Sequence, residues 1–200
     1  MIVVGALATA GGAARAESVD AFLGRLAAAG KDTRTLQAQL VQRKRLSLFR
    51  TEVVTKGRVL FERPDRLRWE TFRPDASLLL LVGQRAEFRL PGEPARVIDL
   101  KHGGALGALV EQLFVWLGVR PARDIGRQYT ATLQPEKRLT RLSLVPKEAV
   151  LRSRVKQLVL EVGADLLLQR IVVLQKDGDT TAIEFSSVKR NAKLPPNSFK

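Results

Sequence analysis

The sequence predicts a mainly β protein with some α-helix: one long antiparallel sheet, curled into a closed or nearly closed barrel, with two apolar helices against it. The main observation is a change of period. From Thr35 onward, apolar residues recur at every second position in about eleven short runs, as expected for strands. Short turns join these runs, so consecutive strands are expected to pair antiparallel. Only residues 18–30 and 105–118 have the apolar spacing of a helix.

The first predicted helix covers residues 18–30. The Ser18 hydroxyl can accept a hydrogen bond from a free N–H of the first turn, and Gly30 can end the helix. One face carries the apolar side chains at helical spacing: Val19, Phe22, Leu23 and Leu26. Such a stripe requires an apolar surface to lie against.

The predicted strands form a meander. They cover residues 36–49, 53–62, 67–72, 77–82, 85–90, 95–100, 127–134, 138–145, 154–162, 166–175 and 180–188. The last hairpin turn, residues 176–179, contains Asp177-Gly178, a pair that tolerates the positive φ angles of a tight turn. A sheet with this many strands twists until its edges approach each other.

The predicted inner face of the barrel carries bulky apolar side chains. These are Val59, Phe61, Leu67, Trp69, Leu80, Phe88, Leu142, Leu144, Val172, Leu174, Ile183 and Phe185. Leaving such walls in water costs about 25 cal/mol per Å2 of apolar surface, so helices or a ligand must cover them. The helix at residues 105–118 suits this role because it is apolar around most of its circumference. For each residue, a packed core without a ligand is the alternative.

Residues 1–16 differ from the rest of the chain. Residues 2–14 are uncharged, and Ala14-Arg15-Ala16 places small residues at the two positions that signal peptidase requires. We expect a partial signal peptide, lacking its basic start, followed by a single domain over residues 17–200 in the periplasm. A disordered alanine-rich tail is the alternative. The chain has no cysteine, which excludes disulfides, thiol chemistry and a cysteine-linked lipid.

The formal net charge of +14 requires an explanation. Nucleic acid is one candidate partner, because Lys and Arg neutralise phosphates. The basic residues, however, alternate with apolar ones along predicted strands, as at Arg66 and Arg68, and an export signal argues against such a partner. We therefore predict no nucleic-acid binding. Two explanations stay open: solvated outer strand faces, and attraction to anionic headgroups at a membrane surface.

The sequence contains few residues suited to catalysis. His102 is the only histidine; a zinc site or a triad built on it would need partners, and cysteine ligands are absent. Gly103-Gly104 lacks the Lys-Ser/Thr of a phosphate loop, and Asp177 and Asp179 lie in a predicted turn. We predict a binding protein with no enzymatic activity, cofactor or metal.

Residues 57–70 have the sequence Gly-Arg-Val-Leu-Phe-Glu-Arg-Pro-Asp-Arg-Leu-Arg-Trp-Glu, which resembles the signature hairpin of the LolA family, periplasmic carriers of outer-membrane lipoproteins. The family pattern is a Gly, alternating apolar residues, Arg-Pro, then an aromatic residue or Leu shortly before a Trp. Pro74, the apolar residues 78–82 and Gly83 continue the resemblance. Matching positions near the C-terminus are Asp177, Gly178, Thr181, Ile183, Phe185, Asn191, Leu194 and Phe199.

The resemblance implies an incomplete barrel, closed by lid helices over a hydrophobic cavity that takes acyl chains. The lids would be residues 18–30 and 105–118. In the family, the Arg before the Pro hydrogen-bonds to the lids in the closed state and releases them when ligand enters. Arg63 is the matching position, and a solvent-exposed turn arginine is the alternative. The candidate cavity residues are Phe61, Leu67, Trp69, Leu80, Phe88, Leu113, Phe114, Leu117 and Phe185.

The function that the resemblance implies is lipid transport across the periplasm. The cargo would be acylated lipoproteins or another lipid, moved from an inner-membrane exporter toward an outer-membrane acceptor by a monomer that contacts the membrane surface transiently. A lipid- or lipoprotein-sensing regulatory module on the same fold, without transfer, is the alternative. One departure leaves the cargo open: residues 84–91 stand where the family often has an aromatic-rich strand ending in Tyr and Pro.

Overall fold

The eleven strands of the described chain form one continuous antiparallel sheet. The structure is a computed structural model, and it describes residues 17–48, 51–72, 74, 76–100 and 125–200. The strands are β1 (Thr35–Arg45), β2 (Glu52–Glu62), β3 (Arg66–Thr71), β4 (Ser77–Val82), β5 (Arg85–Arg89), β6 (Arg96–Asp99), β7 (Tyr129–Pro135), β8 (Leu139–Pro146), β9 (Val155–Gly163), β10 (Leu168–Gln175) and β11 (Thr180–Arg190). Three helices accompany them in the same residues: α1 (Val19–Gly30), α2 (Ile125–Gln128) and α3 (Ala149–Arg154).

The strand order is β6-β5-β4-β3-β2-β1-β11-β10-β9-β8-β7. All neighbours are consecutive in the chain except β1 and β11, whose pairing places the first and last strands at the centre of the sheet. Within the described residues, β6 and β7 each pair on one side only, so the sheet is open. The predicted incomplete antiparallel barrel of about eleven strands is confirmed. The first strand is shorter than predicted, because it ends at Arg45 instead of residue 49.

The connections between strands lie at two ends of the sheet. We call one the α1 end: it holds the C-terminus of α1 and the β2–β3 turn, where the Arg63 amide donates to the Arg34 carbonyl at 2.8 Å. The opposite end, the far end, holds the β1–β2 and β10–β11 turns, whose contact is a 2.7 Å hydrogen bond from the Ser47 amide to the Asp179 carboxylate. The short helix α3 lies at this far end as well.

Helix α1 confirms the first predicted helix, one residue shorter and with Ser18 as its cap. The Ser18 hydroxyl accepts a hydrogen bond from the Ala21 amide at 3.2 Å, and Phe22 and Leu26 are buried in the core.

The sequence pattern does not predict α2 and α3, because four and six residues are too short to show a helical period. The predicted helix at residues 105–118 lies outside the described residues. No helix of the described chain is long and apolar enough to cross a membrane.

The core lies on the concave face of the sheet. Its largest fully buried residues include Phe22, Val59, Phe61, Leu67, Leu81, Leu142, Leu144, Leu160 and Ile171. The prediction of Val172 and Leu174 as inner-face residues was wrong. Their neighbours Ile171 and Val173 belong to the core cluster, so Val172 and Leu174 face the convex side. Residues 171–174 form an unbroken apolar run, which has no period of two to indicate the face.

The convex face carries a ladder of alternating charges. Arg141 on β8 lies 3.2 Å from Glu161 on β9, and Arg170 on β10 lies 3.8 Å from Glu161 and 3.7 Å from Glu184 on β11. The arginines and Glu184 are partly exposed, and such pairs contribute about 0–1 kcal/mol each to stability. They show that part of the basic surface is a solvated strand face whose charges are paired, in line with the first explanation of the positive charge.

The contact between β2 and β3 is close at Gly57. A Cβ atom at this position would collide with the backbone carbonyl of Glu70 and would lie 3.0 Å from the Leu40 Cδ1 atom. On the convex side, the Glu70 carboxylate accepts hydrogen bonds from Arg68 at 3.1 Å and Arg58 at 2.8 Å. These bonds, that from Arg68 foremost, lower the pKa of the Glu70 carboxyl below its usual value. Gly57 therefore allows the backbones of β2 and β3 to lie close together. The hydrogen bonds of Arg58 and Arg68 to Glu70 stabilise this arrangement from the convex side.

Candidate functional site

The strand register divides the concave wall into rows. The row nearest the α1 end consists of direct partners on β1 to β4 that are at most 3% exposed: Leu36, Phe61, Leu67 and Leu81. The next row, toward the far end, contains three half-buried apolar side chains: Trp69, Leu79 and Phe88. The apolar wall therefore continues from a closed region into a region that solvent, or a ligand, can reach.

Trp69 and Phe185 contact each other across the concave face. Their ring centroids are 5.9 Å apart and the rings are perpendicular, an edge-to-face arrangement that aromatic rings favour. Trp69 is on β3 and Phe185 on β11, and three strand spacings along the sheet amount to roughly 14 Å. The rings can meet because the sheet is curved and because the facing residues between them include the small Ala38 and Gly57.

The structure places five of the predicted cavity residues on the concave face. These are Phe61, Leu67, Trp69, Phe88 and Phe185. Three others, Leu113, Phe114 and Leu117, lie outside the described residues. Among the residues described, no group of three or more His, Asp or Glu side chains could hold a metal ion.

Leu80 does not belong to this wall. It pairs with Arg68 and Glu87 and alternates with the core residue Leu81, so it lies on the convex face, although it is buried. The prediction was wrong because residues 78–82 are all apolar and show no alternation. The C-terminal segment crosses near this part of the convex face: Arg68 Nη1 donates to the Ser198 carbonyl at 3.3 Å.

Arg63 lies in the β2–β3 turn and reaches the end of α1. Its Nη2 atom donates to the carbonyl of Gly30, the last residue of α1, at 2.8 Å, and its Nε atom donates to the Thr33 carbonyl at 2.5 Å. Carbonyls at the end of a helix lack partners within it and carry the negative end of its dipole, so a guanidinium suits this position. The residue as a whole remains exposed. Arg63 thus joins α1 to the turn of the signature hairpin.

Asn191 holds the same connection from the other side. The side chain of Asn191 accepts from the Arg34 amide at 2.7 Å and donates to the Asp32 carbonyl at 3.1 Å, and its own amide donates to the Thr35 carbonyl at 2.8 Å. Its φ of 56° is one that Asn tolerates better than most residues. The segment between α1 and β1 is therefore clamped by Arg63 and Asn191. In the sequence, Asn191 stands out only as a match to the family pattern, which gives it no role.

We expect Asn191→Ala to loosen this clamp. The variant loses two side-chain hydrogen bonds and places alanine at a positive φ, so the free energy of unfolding should fall by about 1–3 kcal/mol. Urea denaturation measures this value. Asn191→Gly is the matched control, because glycine accepts the φ but makes no side-chain bond. It should lose less stability than Asn191→Ala, and equal losses would show that the backbone angle contributes nothing.

Known proteins resemble this chain over most of its length. Residues 31–200 match the model of the family described as outer membrane lipoprotein carrier protein LolA. An outer-membrane lipoprotein carrier protein of Dechloromonas aromatica (strain RCB) is 28% identical over 171 residues, which cover 85% of this chain and 78% of the relative. A protein with the same description from Bordetella avium (strain 197N) is 25% identical over 151 residues, covering 75% of this chain and 68% of the relative.

Solved structures are also similar to this chain. The MucA/MucB complex of Pseudomonas aeruginosa contains a chain that matches with a TM-score of 0.51 and 15% identity, over 90% of this chain and 60% of that one. The LolA superfamily protein NE2245 from Nitrosomonas europaea matches with a TM-score of 0.47 and 12% identity, over 92% of this chain and 98% of that one. The family model covers the signature hairpin, the clamped segment and every strand of the sheet, and the chain belongs to the LolA family of outer-membrane lipoprotein carrier proteins.

Proposed function

We propose that the protein is a periplasmic carrier that binds acyl chains against its concave face. The cargo is a lipoprotein or another lipid, which the carrier moves from the inner toward the outer membrane. The observation that carries the proposal is the half-buried row of Trp69, Leu79 and Phe88, which extends a fully buried apolar wall. Family membership and the descriptions of the relatives support the same function.

The apolar wall supplies the affinity. Each methylene that leaves water for an apolar surface contributes about 0.8 kcal/mol, so one acyl chain offers enough free energy for tight binding. A carrier must also release its cargo. Release requires a competing state in which the protein covers its own wall, because a ligand shifts an equilibrium only by its differential affinity for the two states.

Arg63 provides a means of stabilising that competing state. It donates one hydrogen bond to the last residue of α1, Gly30, and one to Thr33 in the segment that follows, and these bonds hold the helix, whose residues Phe22 and Leu26 are buried in the same core cluster as the wall. If α1 moves away to admit an acyl chain, these bonds break, and they form again on closure. Arg63 is therefore the latch of the closed state. Because Arg63 is exposed, breaking its bonds costs little free energy, and the binding free energy of the cargo can exceed that cost.

The carrier acts by binding alone, as a monomer without enzymatic activity. An inner-membrane exporter is its donor and an outer-membrane protein is its acceptor. A sensing module on the same fold would bind a lipid or lipoprotein signal without passing it on.

Native mass spectrometry of the protein purified from the periplasm of its own host, followed by lipid extraction, tests the proposal. Co-purified lipoprotein or phospholipid in a ratio near one to one supports the carrier and identifies the cargo. A protein that is empty and also fails to bind a fluorescent fatty acid contradicts it. Cargo that binds but does not pass to acceptor membranes would favour the sensing module.

A further inference from the structure

The far end of the sheet presents a continuous surface built from three segments, which we call the far-end surface. Its parts are α3 with its flanks (residues 147–156), the β10–β11 turn (176–179) and the β1–β2 turn with the last residue of β1 (45–48). The Lys176 amide donates to the Arg154 carbonyl at 2.9 Å, and the Ser47 amide donates to the Asp179 carboxylate at 2.7 Å. These bonds join the three segments side by side.

Two apolar side chains project from this surface into solvent. Leu48 is 90% exposed and Val150 is 64% exposed, the two highest values among the exposed large hydrophobic residues of the described chain. Val150 is in α3, next to Leu151, which packs against the core. Scattered exposed apolar residues are common on proteins. Here the two most exposed ones share one end of the barrel.

The same three segments also carry cations. Six exposed basic residues lie on the far-end surface: Arg45, Lys147, Arg152, Arg154, Lys156 and Lys176. None of the six forms an ion pair within the described residues, in contrast to the arginines of the convex charge ladder. The acidic side chains on this surface are Glu148, Asp177 and Asp179. The surface therefore has an excess of positive charge that no ion pair within the described residues neutralises.

We propose that the far-end surface docks on an anionic phospholipid surface. Cations near such a surface gain about 1 kcal/mol each from its negative potential, and exposed apolar side chains insert among the headgroups. The charge complementarity favours this occupant over a protein. A protein interface has a contiguous apolar centre depleted of charge, whereas the far-end surface combines Leu48 and Val150, which come from different segments, with six cations.

Docking in this orientation directs the open part of the wall toward the lipid. The half-buried row with Trp69 lies nearer the far end than the fully buried row with Leu67 does, because β3 runs from the α1 end to the far end. An acyl chain leaving a bilayer would therefore reach the half-buried row before the fully buried one. The docking itself does not depend on cargo, so it can be tested on vesicles without an exporter or an acceptor.

The experiment is co-sedimentation of the purified protein with two kinds of vesicle, pure phosphatidylcholine and phosphatidylcholine mixed with phosphatidylglycerol. We expect binding to the mixed vesicles, and we expect this binding to weaken as the salt concentration rises.

The double variant Arg152→Glu/Arg154→Glu should weaken this binding about tenfold or more. The double variant Lys137→Glu/Arg138→Glu, which changes the same charge in the exposed β7–β8 turn at the opposite end, is the matched control and should bind nearly as well as the wild type. Leu48→Ser should weaken binding severalfold without altering the net charge, and circular dichroism verifies the fold of each variant.

The outcomes separate the explanations. Equal losses in both double variants would mean that net charge alone attracts the protein, and the docking surface would be rejected. The proposal would be overturned if the wild-type protein does not bind mixed vesicles but forms cross-links from position 48 to a protein in its host. That result would identify a protein interface. Vesicle binding without acyl transfer would leave docking in place and contradict the carrier function instead.

Discussion

Arg63→Leu should raise the affinity for an acyl chain about tenfold and slow its transfer to acceptor membranes. The variant removes the two donors that hold the carbonyls of Gly30 and Thr33, so the closed position of α1 loses stability relative to the open one. Two partly exposed bonds from a charged donor contribute together about 1–2 kcal/mol, which corresponds to roughly a tenfold change in a binding constant. A ligand that needs the open state binds more tightly when that state costs less.

The measurement combines titration with a fluorescent fatty acid and the rate at which the bound probe passes to vesicles. Arg63→Lys is the matched control. Lysine keeps the positive charge but not the planar fork that reaches two carbonyls, so its affinity and rate should fall between those of the wild type and Arg63→Leu. Unchanged affinity and unchanged transfer in Arg63→Leu would exclude the latch and leave Arg63 as a turn residue.

Gly57→Ala should destabilise the fold by about 2–4 kcal/mol. Any Cβ at this position collides with the Glu70 carbonyl. Both β2 and β3 have a partner strand on each side, so this backbone atom cannot move aside as the end of a side chain can. Relief of the collision would separate β2 from β3 and flatten the curve that brings Trp69 to Phe185. The variant should therefore lose affinity for acyl chains as well as stability.

Gly24→Ala is the control glycine substitution. Gly24 is exposed on α1, and a Cβ there meets nothing within 4 Å. Alanine in the interior of a helix is favoured over glycine by about 0.5–1 kcal/mol, so this variant should be as stable as the wild type or slightly more so. Urea denaturation compares the two variants directly. If Gly57→Ala is as stable as Gly24→Ala, the close approach of β2 and β3 is not a constraint.

Much of the fold could be predicted from the sequence because its signals are local. The alternation along β2 and β3 indicates which side chains face inward, and it places Phe61, Leu67 and Trp69 correctly. The serine cap and the apolar stripe identify α1. The turn residue Arg63 could be singled out through the family pattern alone, since nothing local in the sequence shows that its partner is a helix end about thirty residues earlier.

The errors occur where the local signal vanishes. Leu80 and Val172 lie in unbroken apolar runs, so the sequence does not indicate which face each one takes. The register sets the face, and it depends on pairing with distant strands. Asn191 shows the same limit in another form. Its side chain clamps residues more than 150 positions earlier in the chain, and its positive φ is visible only in the folded structure.

Quenching of a single tryptophan by a brominated fatty acid tests most directly whether the concave face binds acyl chains. Trp116→Phe leaves Trp69 as the only tryptophan. The matched protein combines Trp69→Phe, Trp116→Phe and Val172→Trp, which moves the only tryptophan to the convex face. We predict that dibromostearate quenches Trp69 saturably, with a stoichiometry near one, and that it leaves the tryptophan at position 172 unquenched. No quenching of Trp69, or equal quenching on both faces, would contradict the proposed acyl-binding site.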